Sequence, residues 1–363
     1  MTLRTPQTSP GGARGLPHEM TIGSRTVGNG RPCYVIAEAG SNHNRDLGIA
    51  KRLIDVAADA GADAVKFQTY SGDRIYSRVA ESKWLKQVST ETPAELLERI
   101  SLPRDWQPEL AEHARGRGID FFSSPFDHDA VDELAALDVP VMKIASGELV
   151  DLPLIRKAAA TGIPLIVSTG MATLAEVEDA VFAAADAGAP SVGLMQCAAV
   201  YPAPVERSNL RAMATLHAAF GVPSGLSDHT TGISVAIAAA ALGAAFVEKH
   251  FTLDRTMDGP DHSFAIEPDE LGAMVGGIRD AQAALGDGRK DGPSSEELDE
   301  NFSLARRSLI AVGDLAAGTV LTREMIAVKR PGYGIAPKHL DLVVGRSLRV
   351  DVADDEVITW EMV

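Results

Sequence analysis

From residue 34 onward, short apolar runs alternate with stretches whose apolar residues recur every three or four positions, and that alternation leaves very few possible folds. The strand-like runs are Tyr34–Ala39, Ala64–Gln68, Asp120–Ser123, Val141–Ala145, Pro164–Ser168, Ser191–Gln196, Pro223–Leu226 and Ala244–Glu248. Helical spacing fills the intervals at Leu47–Ala60, Arg104–Arg117, Asp127–Ala136, Leu174–Ala187, Arg207–Phe220 and Ile233–Leu242, and a last helix is expected at Pro268–Leu285. Gly or Pro marks many of the changes, as at Gly61, Gly118, Pro140 and Gly188. Eight β/α units whose strands are apolar on both faces predict an α/β fold, a (β/α)8 TIM barrel. A doubly wound open sheet is the alternative. It lacks support, because no Gly-x-Gly-x-x-Gly follows the first strand and no phosphate-loop motif occurs.

The edges of this pattern suggest four segments. Residues 1–20, rich in Thr, Pro, Gly and Arg, read as a disordered tail with neither a signal peptide nor an anchor. Residues 21–286 form the barrel, 287–305 an acidic linker, and 306–363 a small β-rich domain with strand-like runs at Ser308–Val312, Ala327–Lys329 and Ser347–Val350. Tyr70–Pro103 is too long for an ordinary βα loop and, with Trp84 in it, reads either as a lid or as an extra surface helix. Cys33 and Cys197 fall in or beside buried strands and read as small core residues, which suits a reducing cytoplasm. No apolar run reaches the roughly 20 residues that span a bilayer. The formal charge of −16 argues against nucleic acid or an anionic membrane as partner. An anionic substrate would need cations gathered locally.

Chemistry in such a barrel occurs at the C-terminal strand ends. Those ends carry Glu38, Lys66 and Gln68, Ser123-Ser124, Lys143 with Ser146-Gly147-Glu148, Ser168-Thr169-Gly170, Gln196 and Tyr201, Ser227 with His229, and Glu248 with His250. His229 and His250 close two successive strands, so their imidazoles can converge on a divalent metal; two structural histidines are the alternative. Lys66 and Lys143, beside the small hydroxyls of Ser146, Ser168 and Thr169, can form a phosphate and carboxylate site. Rim salt bridges to Glu38 or Glu248 are the competing reading for either lysine.

Several stretches together carry a resemblance. They are Ile36-Ala37-Glu38-Ala39-Gly40-Ser41-Asn42-His43, Val65-Lys66-Phe67-Gln68-Thr69, Ser123-Ser124-Pro125-Phe126-Asp127 and Lys143-Ile144-Ala145-Ser146-Gly147-Glu148. Ser168-Thr169-Gly170-Met171, Tyr201-Pro202-Ala203-Pro204, Gly225-Leu226-Ser227-Asp228-His229-Thr230 and Glu248-Lys249-His250-Phe251-Thr252 follow in order. In these the chain resembles the sialic acid (nonulosonate) synthases, which condense phosphoenolpyruvate with an N-acyl amino sugar. Val328-Lys329-Arg330-Pro331-Gly332-Tyr333-Gly334-Ile335 resembles their C-terminal antifreeze-like (SAF) domain.

The resemblance implies a divalent metal on His229 and His250, manganese first, with magnesium or cobalt as substitutes. It implies that Lys66, Gln68, Lys143, Ser146 and Ser168 hold phosphoenolpyruvate. Glu38 and Glu148 would handle protons and water, and Glu248 would orient the metal cluster. Tyr201, Ser227 and Asp261 would contact the sugar. Arg330 would reach the N-acyl group from the partner subunit of a domain-exchanged homodimer. The acceptor implied is N-acetylmannosamine first and a 2,4-diacetamido-6-deoxy sugar second. Ala199 departs from the pattern, standing where these synthases often carry an asparagine, and leaves the hexose substituents open. Two other classes stay open: a Schiff-base aldolase using Lys143 or Lys66, and a non-catalytic sugar- or ice-binding protein.

Overall fold

The computed structural model describes residues 12–77, 79–81, 91–298 and 300–363. The chain divides after Gly286 into two compact units.

The larger unit is built on eight parallel strands: β3 (Tyr34–Gly40), β4 (Ala64–Thr69), β5 (Asp120–Pro125), β6 (Met142–Ile144), β7 (Leu165–Ser168), β8 (Val192–Cys197), β9 (Ser224–Asp228) and β10 (Phe246–His250). Their order, β5-β4-β3-β10-β9-β8-β7-β6, follows the chain around a ring. The ring is a TIM-like barrel, and every expected strand run supplies one of its staves. β5 and β6 lie side by side, but among the described residues no ladder joins them. Most strand positions are buried on both faces, because side chains fill the interior and helices cover the outside.

The helices obey local rules. Asp46, Asp127 and Asp151 each accept a backbone N–H at a helix start, and Thr173 with Glu176 forms a reciprocal capping box at Leu174–Asp186. Gly118 and Gly221 take the left-handed conformation that ends Gln107–Arg117 and Ala212–Phe220. Inside the barrel, Phe246 fills space that two glycines leave open. A Cβ on Gly193 would lie 2.5 Å from its ring, and one on Gly225 would lie 2.2 Å from its carbonyl oxygen.

The expected N-terminal tail divides in two. Residues 1–11 lie outside the described residues. The rest of it is ordered: Ala13–Gly15 forms a turn, and β1 (Glu19–Ile22) pairs antiparallel with β2 (Arg25–Gly28). The reason is burial, since Leu16, Met20, Ile22 and Val27 join the barrel core. Of the Tyr70–Pro103 excursion, the described parts form a turn at Gly72–Ile75 and a capped helix at Pro93–Ile100. Trp84 lies outside the described residues. No helix among those residues is long and apolar enough to cross a membrane.

In the smaller unit, the stretch expected as linker carries short helices at Ser295–Leu298 and Glu300–Ala305. β11 (Ser308–Ala311) and β12 (Ile326–Lys329) pair antiparallel over a core of Leu309, Leu321, Ile335, Val343, Leu348 and Ile358. The third expected strand, Ser347–Val350, is reduced to one bridge between Ser347 and Val320. Its backbone bonds are divided among different segments, Leu348 with Gly318 and Thr319 and Arg349 with Met362, so no ladder extends.

Candidate active site

Parity and register decide which side chains meet. Successive strand residues point to opposite faces, and the rungs place Glu38 opposite both Lys66 and His250, with Glu248 opposite Ser227. Glu38, Lys66, Gln68, Ser227, Glu248 and His250 thereby share the inner face at one end of the barrel. The register shifts after Glu38, and Gly40 has φ +51°. A Cβ at Gly40 would lie 3.0 Å from Asp261 Oδ2 and 3.5 Å from His250 Nδ1, so a larger residue would obstruct the site.

The cations required by an acidic chain are here, and they are buried. Lys66 Nζ lies 2.9 Å from Glu38 Oε2 and 3.8 Å from Glu248 Oε1, and it donates to Ser124 Oγ at 3.2 Å. Glu38 Oε2 is buried, and the Lys66 ammonium is the cation beside it. Gln68 Nε2 donates to Glu38 Oε1 at 2.7 Å. Lys143 Nζ donates to Ser168 Oγ at 2.5 Å, and Ser227 Oγ to Glu248 Oε1 at 3.1 Å.

Burial drives the Glu38 carboxyl up to about 7 against the pull of Lys66, with the Glu248 charge adding to the rise. Burial also works on Glu248, but Lys143 and Lys66 outweigh it and hold that carboxyl below the usual range. Of the two carboxylates, one is fixed in charge and one exchanges its proton near neutrality. Two ammoniums thus face less than two full negative charges, and a small polyanion is favoured there.

His229 and His250 do converge. Their ring centroids are 5.4 Å apart, and the rings of Tyr201 and Phe264 close around them. His229 Nδ1 bonds to the Ala198 carbonyl at 2.9 Å, which leaves Nε2 with its lone pair. His250 Nδ1 is buried without a hydrogen bond, 3.6 Å from Asp261 Oδ2. Burial holds both imidazoles below their ordinary pKa, in the neutral form a metal requires. Among the described residues, no three His, Cys, Asp or Glu side chains cluster at metal-binding spacing. The donor set offered is two neutral imidazole nitrogens, which would suit a divalent transition-metal ion.

Ser146 and Glu148 stand on the turn Ser146–Val150 after β6, with Ser146 Oγ accepting from Gly170 N at 3.0 Å. Burial raises the half-buried Glu148 carboxyl to about 7. Asp261 is raised to about 6 by burial, opposed by a backbone bond from Ser41. Gln196, which had stood among the rim residues, has the opposite parity to Cys197, and its side chain donates to the Ser208 carbonyl. Arg330 is exposed on the smaller unit.

Sequence reasoning missed Phe264, whose only signal was an aromatic residue shortly after Asp261. Cys197 is buried, as expected, and its thiol lies 3.8 Å from His229 Nδ1 and would be 3.2 Å from a Cβ on Gly170. Residues of the strand itself could have been found by parity.

A family model described as the NeuB family matches residues 53–290, and one described as the SAF domain matches residues 306–363. The N,N'-diacetyllegionaminic acid synthase of Campylobacter jejuni is 40% identical over 89% of this chain and 98% of its own. The human N-acetylneuraminate-9-phosphate synthase is 35% identical over 93% of this chain and 95% of its own. The crystal structure of N-acetylneuraminic acid synthetase from Leptospira borgpetersenii, solved with citrate, superposes with a TM-score of 0.69 at 35% identity, covering 77% of this chain and 93% of that one.

Proposed function

The chain belongs to the NeuB family, and we propose that it is a phosphoenolpyruvate-dependent nonulosonate synthase acting on an N-acyl amino hexose. Carbon 3 of phosphoenolpyruvate attacks the aldehyde of the open-chain sugar and forms the new C–C bond. Water adds at carbon 2, and the C–O bond to phosphate then breaks, leaving a 2-oxo acid and inorganic phosphate. The observation that carries this reading is the pair of buried lysines beside a pair of neutral histidines on one barrel rim.

Lys66 and Lys143 hold the phosphate and carboxylate of phosphoenolpyruvate, with Ser146, Ser168 and Gln68 completing its shell. Glu38 and Glu148, both near 7, are the groups able to exchange protons at neutral pH and to serve the aldehyde oxygen and the attacking water. Glu248 stays ionised between Lys66, Lys143 and Ser227 and keeps both ammoniums in place. His229 and His250 would hold a divalent ion, manganese by its fit to nitrogen and oxygen donors, with magnesium or cobalt as substitutes. When bound, it supplies Lewis-acid polarisation of the sugar aldehyde. Tyr201, Ser227 and Asp261 line the sugar side.

Ala199 presents a methyl group rather than a polar one. The higher identity to a synthase whose product name carries two acetyl groups supports a 2,4-diacetamido-6-deoxyhexose as acceptor ahead of N-acetylmannosamine. Val150, Met171, Val200 and Val205 are exposed on the loops following β6, β7 and β8. This apolar rim supports a homodimer in which the partner's SAF domain covers the mouth and brings Arg330 to the N-acyl group.

The test is phosphate release from phosphoenolpyruvate with a panel of N-acylated hexosamines, with manganese and with chelator. Release that requires one sugar and the metal is expected. Chelator-resistant turnover, with borohydride trapping of Lys143 on a keto substrate, would instead establish a Schiff-base aldolase.

A further inference from the structure

One rung below the two histidines, on the outer side of the sheet, lies an ion pair that the proposed reaction does not use. Lys249 and Asp228 face each other in register across β10 and β9. Their parity is opposite to that of Glu248 and Ser227, so both side chains point away from the substrate. Lys249 Nζ lies 2.8 Å from Asp228 Oδ2, and the two side chains are only 2% and 1% exposed. Lys249 Nζ also donates to the Thr230 carbonyl. Asp228 Oδ1 accepts from Thr230 N at 2.9 Å and from Thr230 Oγ1 at 2.8 Å.

These bonds form a closed figure around one residue. His229 lies between Asp228 and Thr230, which are tied to each other and to Lys249, and Lys249 is the immediate neighbour of His250. The backbones that carry the two imidazoles are thus clamped by one buried unit reaching across adjacent strand ends. Stability alone does not account for it, because replacing a buried ion pair with apolar groups is often neutral or stabilising. What a hydrogen-bonded pair offers over apolar packing is a fixed distance and direction.

We infer that Asp228 and Lys249 are positioning residues that set the spacing of His229 and His250, and with it the affinity for the divalent ion. The inference rests on the reading of those histidines as the ion's ligands. Outer partners of metal ligands commonly account for about 10–100-fold in affinity, and an effect of that size is expected here.

The experiment measures Mn2+ binding to the full chain by the loss of the free-ion electron paramagnetic resonance signal. Lys249→Met keeps the apolar stem and removes the charge; Asp228→Asn keeps the Thr230 contacts and removes the ionic one. Each is expected to fold and to bind Mn2+ about 10–100-fold more weakly, with the double variant no worse than the weaker single. Ile278→Val, in the core away from the site, controls for general destabilisation and keeps the parent affinity. Should Lys249→Met fail to fold, Asp228→Asn alone decides the matter. Parent-like Mn2+ affinity in a folded variant overturns the positioning role. Mn2+ binding that is absent from the parent, or that survives His229→Ala, overturns the ligand assignment and the positioning role with it.

Discussion

At the scale of single residues, the buried cations and the perturbed carboxyls give the sharpest expectations. Lys143 is almost fully buried, with its ammonium on Ser168. Lys143→Met would leave the barrel folded but weaken phosphoenolpyruvate capture by about 3 kcal/mol, roughly 100-fold in kcat/KM. Steady-state rates against phosphoenolpyruvate concentration check this. The Glu148 carboxyl is raised to about 7 from its ordinary value of 4.5. The folded chain therefore keeps that proton across a range where the unfolded chain releases it. The contribution is fully present below the unfolded value and is lost as pH rises through about 7. Urea midpoints at about pH 5 and about pH 8 should converge in Glu148→Gln relative to the parent. Most rim residues were legible because strand parity sorts inward from outward side chains. Phe264 was not, since it lies on a loop without periodicity.

At the scale of elements, the eight staves could be read because each is a short apolar run bounded by Gly, Pro or a cap. The β1–β2 hairpin escaped notice because its strands are four residues each and alternate too briefly to stand out against a Gly- and Pro-rich neighbourhood. Gly225 makes a strict demand on β9: a Cβ there meets the Phe246 backbone rather than a movable side chain. Gly225→Ala is expected to lower stability by at least about 1–3 kcal/mol, seen as a clear fall in Tm. Thr173→Ala opens an exposed capping box and should cost about 1 kcal/mol, with phosphoenolpyruvate kinetics unchanged.

At the scale of the whole molecule, the proposed dimer makes a prediction that a single chain does not. Arg330→Ala and His229→Ala homodimers should each be inactive. If Arg330 serves the partner's site, hybrids formed by mixing and exchange contain one intact site and regain activity. Mixtures that stay inactive, despite exchange demonstrated by size or mass, would place Arg330 in its own subunit's site or outside catalysis.

The missing ladder between β5 and β6 has a consequence that amide exchange would display. Peptide groups along that seam lack the neighbour that every other stave possesses, so their deuterium uptake should outpace that of Phe246–His250, which is laddered on both sides. Lys143 rides on a stave bordering the seam, whereas His229 and His250 sit in the continuous arc. Gentle warming should thus slacken the grip on phosphoenolpyruvate while the imidazole pair keeps its geometry.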